Sequence, residues 1–212
     1  MKKNFTVIAA GGLGTRLKNY KNNEYTKVLI PIGETSMISQ QIKQLKNWGY
    51  ENIVIVTNPE FDKLIKEDVK GNFPNENIEF VIQTEQLGIA HALKQAEPVI
   101  DKGSQISFIL GDNFFGVNPF ANNKSIYSDN SAALVLKKVN NPEDFGVAVL
   151  KNSKIVDLIE KPKKFISKYA VLGFYKYEYE CFEIIDSLKK SDRGEYEITD
   201  LNKKYLNLSK VN

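Results

Sequence analysis

Two alternating hydrophobic patterns in the first half of the chain restrict its fold more than any other feature. Short apolar runs rich in β-branched residues, which are typical of buried strands, occur at residues 6–10, 52–57, 78–83 and 106–111. Stretches with helical spacing lie between them, at residues 36–48, 60–69 and 88–99. Strands that alternate with helices predict βαβ units. We therefore expect an α/β fold with a mainly parallel sheet, right-handed crossovers and helices on both faces.

The pattern changes after Asp112, where strands are expected to follow one another without intervening helices. The predicted strands of this second half are residues 132–139, 146–150, 155–160 and 171–177. Two helices are predicted to follow, at residues 178–190 and 197–206. Because no linker or internal repeat interrupts the 212 residues, we expect a single domain over 1–212 with a β-rich second half.

Composition and charge exclude several classes of protein. The 29 basic and 26 acidic residues leave a net charge of only +3 and are intermixed, so there is no basic stripe for nucleic acid. Cys181 is the only cysteine, which excludes internal disulfides and fits a reducing compartment. The apolar run near Met1 is too short for a signal peptide or a membrane span. These observations predict a cytoplasmic protein that binds neither nucleic acid nor membrane.

Three polar loops follow predicted strands, at residues 11–16, 83–88 and 111–113. The carboxyl ends of the strands in an open α/β sheet are where ligands bind. The first loop reads "GGLGTR", and its glycines, free N–H groups and arginine suit a phosphate. It lacks the spacing of a dinucleotide fingerprint and the G-K-[ST] ending of a P-loop. Arg16 and Arg193 are the only arginines, and each offers a planar fork that lysine cannot supply.

The glycine loop, extended to "GGLGTRL" and followed by Lys27 in "YTKVLIPI", resembles the signature of the sugar nucleotidyltransferases. Guanylyl-, uridylyl-, cytidylyl- and adenylyltransferases share that loop. Six later segments occur in the order found in glucose-1-phosphate thymidylyltransferases: "IQTEQLGIAHAL", "LGDNFFG", "FGVAVL", "LIEKP", "YAVLGFYKY" and "RGEYEITDLN". The resemblance covers nearly the whole chain. It implies a Rossmann-like nucleotide-diphospho-sugar transferase fold, with a nucleotide-binding half at 1–115 and a sugar-phosphate-binding half at 116–212.

The resemblance also implies an activity, the transfer of a nucleotidyl group from dTTP or UTP to a sugar 1-phosphate with release of pyrophosphate. In such a reaction the protein mainly positions the reactants and stabilises charge. Arg16 is expected to hold the pyrophosphate, and Lys27 to lie near the α-phosphate and the attacking phosphate. The resemblance assigns nucleotide binding to eight residues: Ala10, Gly11, Gly12, Gly14, Thr15, Arg16, Gln83 and Gly88.

Gln83 and Gly88 match the positions that read the base. A glutamine amide offers a donor and an acceptor side by side, complementary to O4 and N3–H of thymine or uracil. The backbone of Gly88 is expected to approach the ring edge. Cytosine presents the opposite pattern, but a flipped amide could serve it, so a cytidylyltransferase acting on another phosphorylated substrate remains an alternative.

Asp112 matches the position of a magnesium ligand, and carboxylate oxygen suits this hard cation. The sugar phosphate is assigned to five residues: Asn113, Gly146, Glu160, Lys161 and Val171. Gly146 and Val171 would offer backbone groups, Glu160 would accept from sugar hydroxyls, and Lys161 would pair with the phosphate. His91, the sole histidine, is interpreted as structural, and Cys181 as buried and inert.

One departure from the resemblance concerns the end of the chain. Members of the family are expected to continue past the "EITD" helix with a tryptophan-containing strand that carries a second metal-binding aspartate. This sequence ends at Asn212, and its only tryptophan is Trp48. A catalytically impaired protein that binds nucleotide or sugar phosphate is therefore the second hypothesis. The sequence does not decide the oligomeric state, and a homo-oligomer is possible.

Overall fold

A computed structural model describes residues 2–12, 26–121, 131–208 and 210–211. The strands are β1 (Asn4–Ala9), β2 (Pro31–Ile32), β3 (Thr35–Ser36), β4 (Ile53–Thr57), β5 (Glu79–Ile82), β6 (Gln105–Leu110), β7 (Ala133–Lys138), β8 (Gly146–Lys151), β9 (Lys154–Glu160) and β10 (Tyr169–Glu178). The α-helices are α1 (Met37–Asn47), α2 (Asp62–Asn72), α3 (Ile89–Gln95), α4 (Cys181–Asp186) and α5 (Ile198–Asn207). Short 3-10 helices cover Lys27–Leu29, Glu97–Val99 and Pro142–Asp144.

Eight of these strands form one mixed sheet in the order β5-β4-β1-β6-β10-β8-β9, with β7 paired to β10. The pairs β5–β4, β4–β1 and β1–β6 are parallel, as the alternation of strands and helices predicted. β10 runs antiparallel to β6, β7 and β8, and β8 pairs antiparallel with β9. The sheet therefore changes from parallel to antiparallel at the β6–β10 boundary, which confirms the predicted fold class.

Helices cover both faces of the sheet because successive strand residues point to opposite sides. Val7 of β1 belongs to a core cluster that also contains Leu93 of α3 and Leu201 of α5. Its neighbour Ile8 belongs to a second cluster with Ile42 of α1, and Ile65 of α2 lies in that same cluster. Among the described residues, no helix is long and apolar enough to cross a membrane.

Two of the predicted helices are shorter than expected. The helix expected to run to residue 99 ends at Gln95, and the 3-10 turn Glu97–Val99 follows, with Pro98 in its first turn. Proline has no N–H to continue the α-helical bonding. The helix expected to start at residue 178 begins at Cys181, because β10 stays paired with β6 as far as Glu178 opposite Gln105. The small β2–β3 hairpin was not predicted.

Candidate active site

A cavity of about 450 Å³ opens at the carboxyl edge of the parallel strands. The segments that follow β1, β5 and β6 all contribute to its wall, so the described parts of the three loops singled out in the sequence lie together. The lining residues are Ala9, Ala10, Gly11, Gly12, Lys27, Val28, Gln83, Gln86, Gly88, Ile89, Ala92, Leu110, Asp112 and Glu195. Gly14, Thr15 and Arg16 lie outside the described residues.

Backbone contacts fix the wall formed by the segments after β1 and β5. The N–H of Ala10 donates to the carbonyl of Val56 at 2.8 Å, and the N–H of Gln83 donates to the carbonyl of Thr57 at 2.8 Å. The buried side chain of Asn58 donates to the carbonyl of Gly11 at 2.9 Å. These bonds tie the start of the glycine loop to the end of β4, so this part of the wall is formed before any ligand binds.

Lys27 and Asp112 form an ion pair on the cavity wall, with Lys27 Nζ 2.7 Å from Asp112 Oδ2. Their side chains are 45% and 35% exposed, so both remain within reach of a ligand. The other carboxylate oxygen, Oδ1, accepts from the side-chain amide of Asn113 at 2.7 Å. Asn113 also accepts from the N–H of Gly173 through its own Oδ1, at 3.3 Å. Asn113 thus connects Asp112 to β10.

The side chain of Gln41, on α1, holds the loop that carries Asp112 by two hydrogen bonds. The buried amide nitrogen of Gln41 donates to the carbonyl of Leu110 at 2.9 Å and to that of Asn113 at 2.8 Å. α1 forms here because Ile38, Ile42 and Leu45 follow helical spacing and Ser36 caps the N-terminus. Sequence reasoning missed Gln41, although a glutamine on the apolar face of a helix is the signal that could have found it.

Gly88 lines the cavity and packs against Tyr196, in the segment that precedes α5. It adopts φ +99°, and a Cβ there would lie only 2.7 Å from the carbonyl oxygen of Tyr196. Tyr196 in turn donates its N–H to the carbonyl of Leu87 at 2.7 Å. This close packing brings Glu195 to the cavity wall. The sequence reasoning did not place Glu195 in a site, although it lies in the "RGEYEITD" segment that carried the resemblance.

A cluster of charged residues in the antiparallel half surrounds Glu160, at the end of β9. Glu160 Oε2 accepts from the hydroxyl of Thr199 at 2.5 Å. Its Oε1 lies 3.4 Å from Arg193 Nη2. Arg193 also makes a two-pronged contact with the buried Glu197, at 2.7 and 2.8 Å, and lies 3.5 Å from Glu195. Hydrogen bonding to Glu197 is the main reason that the pKa of Arg193 is raised.

Arg193 therefore connects the cavity wall at Glu195 with Glu160. Gly146 is paired with Glu160 in the sheet, and a Cβ on it would approach Thr199 Oγ1 to 2.8 Å. Lys161 is exposed and has a positive φ of 38°, and its N–H donates to the carbonyl of Phe145 at 3.0 Å. Val171 is buried in β10 opposite Leu136 of β7. None of the five residues assigned to the sugar phosphate lines the cavity in the described part of the chain.

The donor set at Asp112 fits a hard divalent cation that is completed by other oxygen ligands. A carboxylate has about four lone-pair sites, so its two present contacts leave room for a metal. Mg²⁺ is commonly held by one or two carboxylates together with water and substrate phosphates. No cluster of three or more His, Cys, Asp or Glu side chains that could hold a metal occurs within the described ranges. Asp112 would hold Mg²⁺ together with water and phosphate oxygens.

Comparison with known proteins identifies the family. The profile of the nucleotidyl transferase family matches residues 5–212. The chain belongs to this family. A glucose-1-phosphate thymidylyltransferase of Mycobacterium tuberculosis is 34% identical over 97% of the chain and 72% of the relative. A Bacillus anthracis structure assigned provisionally as the same enzyme, in complex with sucrose, superimposes with a TM-score of 0.88 at 34% identity, covering 98% of this chain and 85% of the other.

A relative with a different name is about as similar. The bifunctional protein GlmU of Methanococcus vannielii is 36% identical over 97% of the chain. The chain spans only about half of that relative, 48% of its length. The family is therefore established by the match over residues 5–212, while the nucleotide and the sugar have to be argued from the site.

Proposed function

We propose that this chain transfers a nucleotidyl group from dTTP or UTP to a sugar 1-phosphate, with glucose 1-phosphate as the first candidate. The observation that carries the proposal is the shared cavity, whose lining brings together Gln83, Gly88, Lys27 and Asp112. These residues come from segments far apart in the chain, and each offers chemistry that this reaction needs. Similar thymidylyltransferases support the choice of nucleotide and sugar.

In the proposed reaction, a phosphate oxygen of the sugar 1-phosphate attacks the α-phosphorus of the triphosphate. The new O–P bond forms as the bond to the β-phosphate oxygen breaks, and pyrophosphate leaves with the electron pair. Among the described residues that line the cavity, Lys27 is the one cationic side chain, and it would bring the two anionic groups together. When bound, Mg²⁺ would neutralise part of the phosphate charge, with Asp112 as its protein ligand.

The ion pair between Lys27 and Asp112 describes the site before substrates bind. Without ligand each charge neutralises the other at 2.7 Å. An exposed ion pair contributes only about 0–1 kcal/mol, so incoming phosphates can take over Lys27 at little cost. Asp112 would then be released towards the cation. Arg16 remains the proposed ligand of the departing pyrophosphate, and Glu160 with Lys161 the proposed contacts of the sugar phosphate.

Pyrophosphate release tests the proposal. The chain would be incubated with dTTP, UTP, CTP, ATP or GTP against glucose, galactose and N-acetylglucosamine 1-phosphates, at graded Mg²⁺. We expect turnover with dTTP or UTP, and a loss on the order of a hundred-fold in Asp112→Asn. Asp101→Asn is the matched control, because Asp101 also forms an exposed lysine pair, at 2.6 Å to Lys3. Triphosphate binding without turnover would favour the binding-protein hypothesis, and absence of binding would refute the site.

A further inference from the structure

The amide of Gln83 is held by two contacts that leave only its oxygen for a ligand. Its Nε2 donates to the carbonyl of Gly88 at 3.2 Å and lies 3.0 Å from His91 Nδ1. Gln83 is 3% exposed, so these partners are not replaced by bulk water. Both N–H groups of Nε2 are thereby used. The remaining atom, Oε1, faces Gly11 of the cavity wall, 3.4 Å from where a Cβ on Gly11 would lie.

The orientation of this amide follows from its partners. A carbonyl oxygen can only accept, so the Gln83 atom facing Gly88 must be the nitrogen. That carbonyl also accepts from the N–H of Ala92 at 3.1 Å, which fixes its position at the start of α3. The same nitrogen then requires an acceptor at His91 Nδ1. A neutral imidazole has one donor and one acceptor, so the ring proton of His91 lies on Nε2.

Neighbouring residues are compatible with that tautomer. Gln95 Nε2 lies 3.1 Å from His91 Nε2 and donates to the carbonyl of His91 at 3.3 Å. Amide nitrogens thus face both ring nitrogens, and a neutral imidazole can accept from only one of them. The half-buried Gln95 can turn its oxygen towards the ring by giving up the 3.3 Å contact, whereas the buried Gln83 is held by the carbonyl of Gly88. The imidazole stacks against the ring of Tyr196 with a centroid distance of 6.2 Å and an interplanar angle of 26°. The backbone N–H of Tyr196 donates to the carbonyl of Leu87 at 2.7 Å, so the imidazole of His91 packs against a residue whose backbone is fixed.

We propose that His91 is a positioning residue that fixes the Gln83 amide with its oxygen towards the cavity, so that the site selects an imide base, thymine or uracil, against cytosine. This inference rests on the proposed function of the cavity. Thymine and uracil carry an N3–H that can donate to Gln83 Oε1, whereas cytosine has an unprotonated N3 acceptor. Serving cytosine would need a flipped amide, which would place Oε1 against the carbonyl of Gly88. The site would thus reject cytosine by leaving two acceptors facing each other.

The tautomer of His91 can be measured directly, because it is the only histidine in the chain. Protein labelled with ¹⁵N-histidine and free of any polyhistidine tag would give a single imidazole pattern in a long-range ¹H–¹⁵N correlation spectrum. We expect the neutral Nε2–H tautomer without any nucleotide. A predominant Nδ1–H tautomer would overturn the proposal, since His91 could then not accept from Gln83. This measurement needs no variant and no turnover.

Two substitutions then test the effect on the base. His91→Phe keeps an aromatic ring against Tyr196 but removes the acceptor, whereas His91→Asn can present an amide oxygen near the position of Nδ1. For His91→Phe we expect the dTTP-over-dCTP ratio of binding constants, and of kcat/KM, to fall about three- to ten-fold, the loss of one neutral hydrogen bond. His91→Asn should keep the ratio within about two-fold of the parent.

The outcomes separate this inference from the proposed function. An unchanged ratio in His91→Phe, or an equal fall in both variants, would overturn the positioning role while the proposed function stands. If the parent binds no triphosphate, the proposed function fails, and so does the selection of a base. The tautomer would still report whether His91 holds Gln83. If His91→Phe does not fold, the spectrum of the parent and the ratio in His91→Asn decide.

Discussion

The two halves of the molecule position their candidate ligand contacts by different means. In the parallel half, Gln83 and Gly11 are fixed by backbone bonds and buried amides, with Gln83 only 3% exposed. In the antiparallel half, Glu160 and Arg193 are held mainly by other side chains, and Arg193 is 40% exposed. We therefore expect a rigid surface where the base is proposed to bind, and a more adaptable, charged surface where the sugar phosphate is proposed to bind.

Gly88 offers the most severe way to break the rigid surface. Gly88→Ala would place a Cβ 2.7 Å from the Tyr196 carbonyl, on a backbone conformation at φ +99° and ψ 176° that is almost confined to glycine. We expect a loss of about 3 kcal/mol in the free energy of unfolding, measured by denaturant titration. Gly103→Ala is the control, because Gly103 has φ +76° but open space around it, and should lose only about 1–2 kcal/mol. Equal losses would contradict the close packing on Tyr196.

Arg193 is the corresponding test of the adaptable surface. Arg193→Met would leave the buried Glu197 without its two-pronged partner, retaining the bond from Ser191 at 2.7 Å. Hydrogen bonds to charged groups contribute roughly 1.5–3 kcal/mol, so we expect a loss of about 2 kcal/mol in unfolding free energy. The double variant Arg193→Met with Glu197→Gln should recover part of that loss, because the buried charge is also removed. A fully additive double variant would show that the pair is not coupled.

Substitution of Lys27 is expected to reduce turnover without reducing stability. Its ion pair with Asp112 is exposed, so Lys27→Met should change the free energy of unfolding by less than about 1 kcal/mol. Turnover should fall about ten- to a hundred-fold, because a charge-assisted contact to phosphate is lost. Steady-state kinetics and thermal unfolding of the same preparation measure the two effects. Lys3→Met, which removes the similar pair with Asp101, is the control and should leave kinetics unchanged. A parent-like turnover would remove Lys27 from the reaction.

The sequence predicted the sheet well, because the buried strands read as continuous apolar runs that tolerate little else. β4, for example, is buried at all five positions from Ile53 to Thr57. The limits of α3 and α4 were wrong where longer-range pairing or Pro98 overrode the local pattern. The grouping of Gln83 and Asp112 followed from the rule for parallel strand ends, and that of Lys27 from the family resemblance, although their roles stay predictions. The role proposed for His91 could not be predicted, because its contact with Gln83 depends on how a loop turns between them.

Lys161 gives the smallest expected effect and the most direct test of the division between the two surfaces. It is exposed, and its backbone rather than its side chain is tied to Phe145. Lys161→Ala should therefore leave the fold intact, although its positive φ of 38° adds slight strain for any residue with a Cβ, lysine included. We expect the KM for the sugar 1-phosphate to rise about three- to ten-fold, since one lysine–phosphate contact is lost, while triphosphate affinity changes less than two-fold. Initial rates at saturating triphosphate and calorimetric titration of the triphosphate alone provide the two numbers. Lys163→Ala, two residues further along the chain and also exposed, is the matched control.

If Lys161→Ala weakened triphosphate binding as much as it raised the KM for the sugar phosphate, Lys161 would serve both ligands. The separation into a base-reading surface and a sugar-phosphate surface would then be wrong.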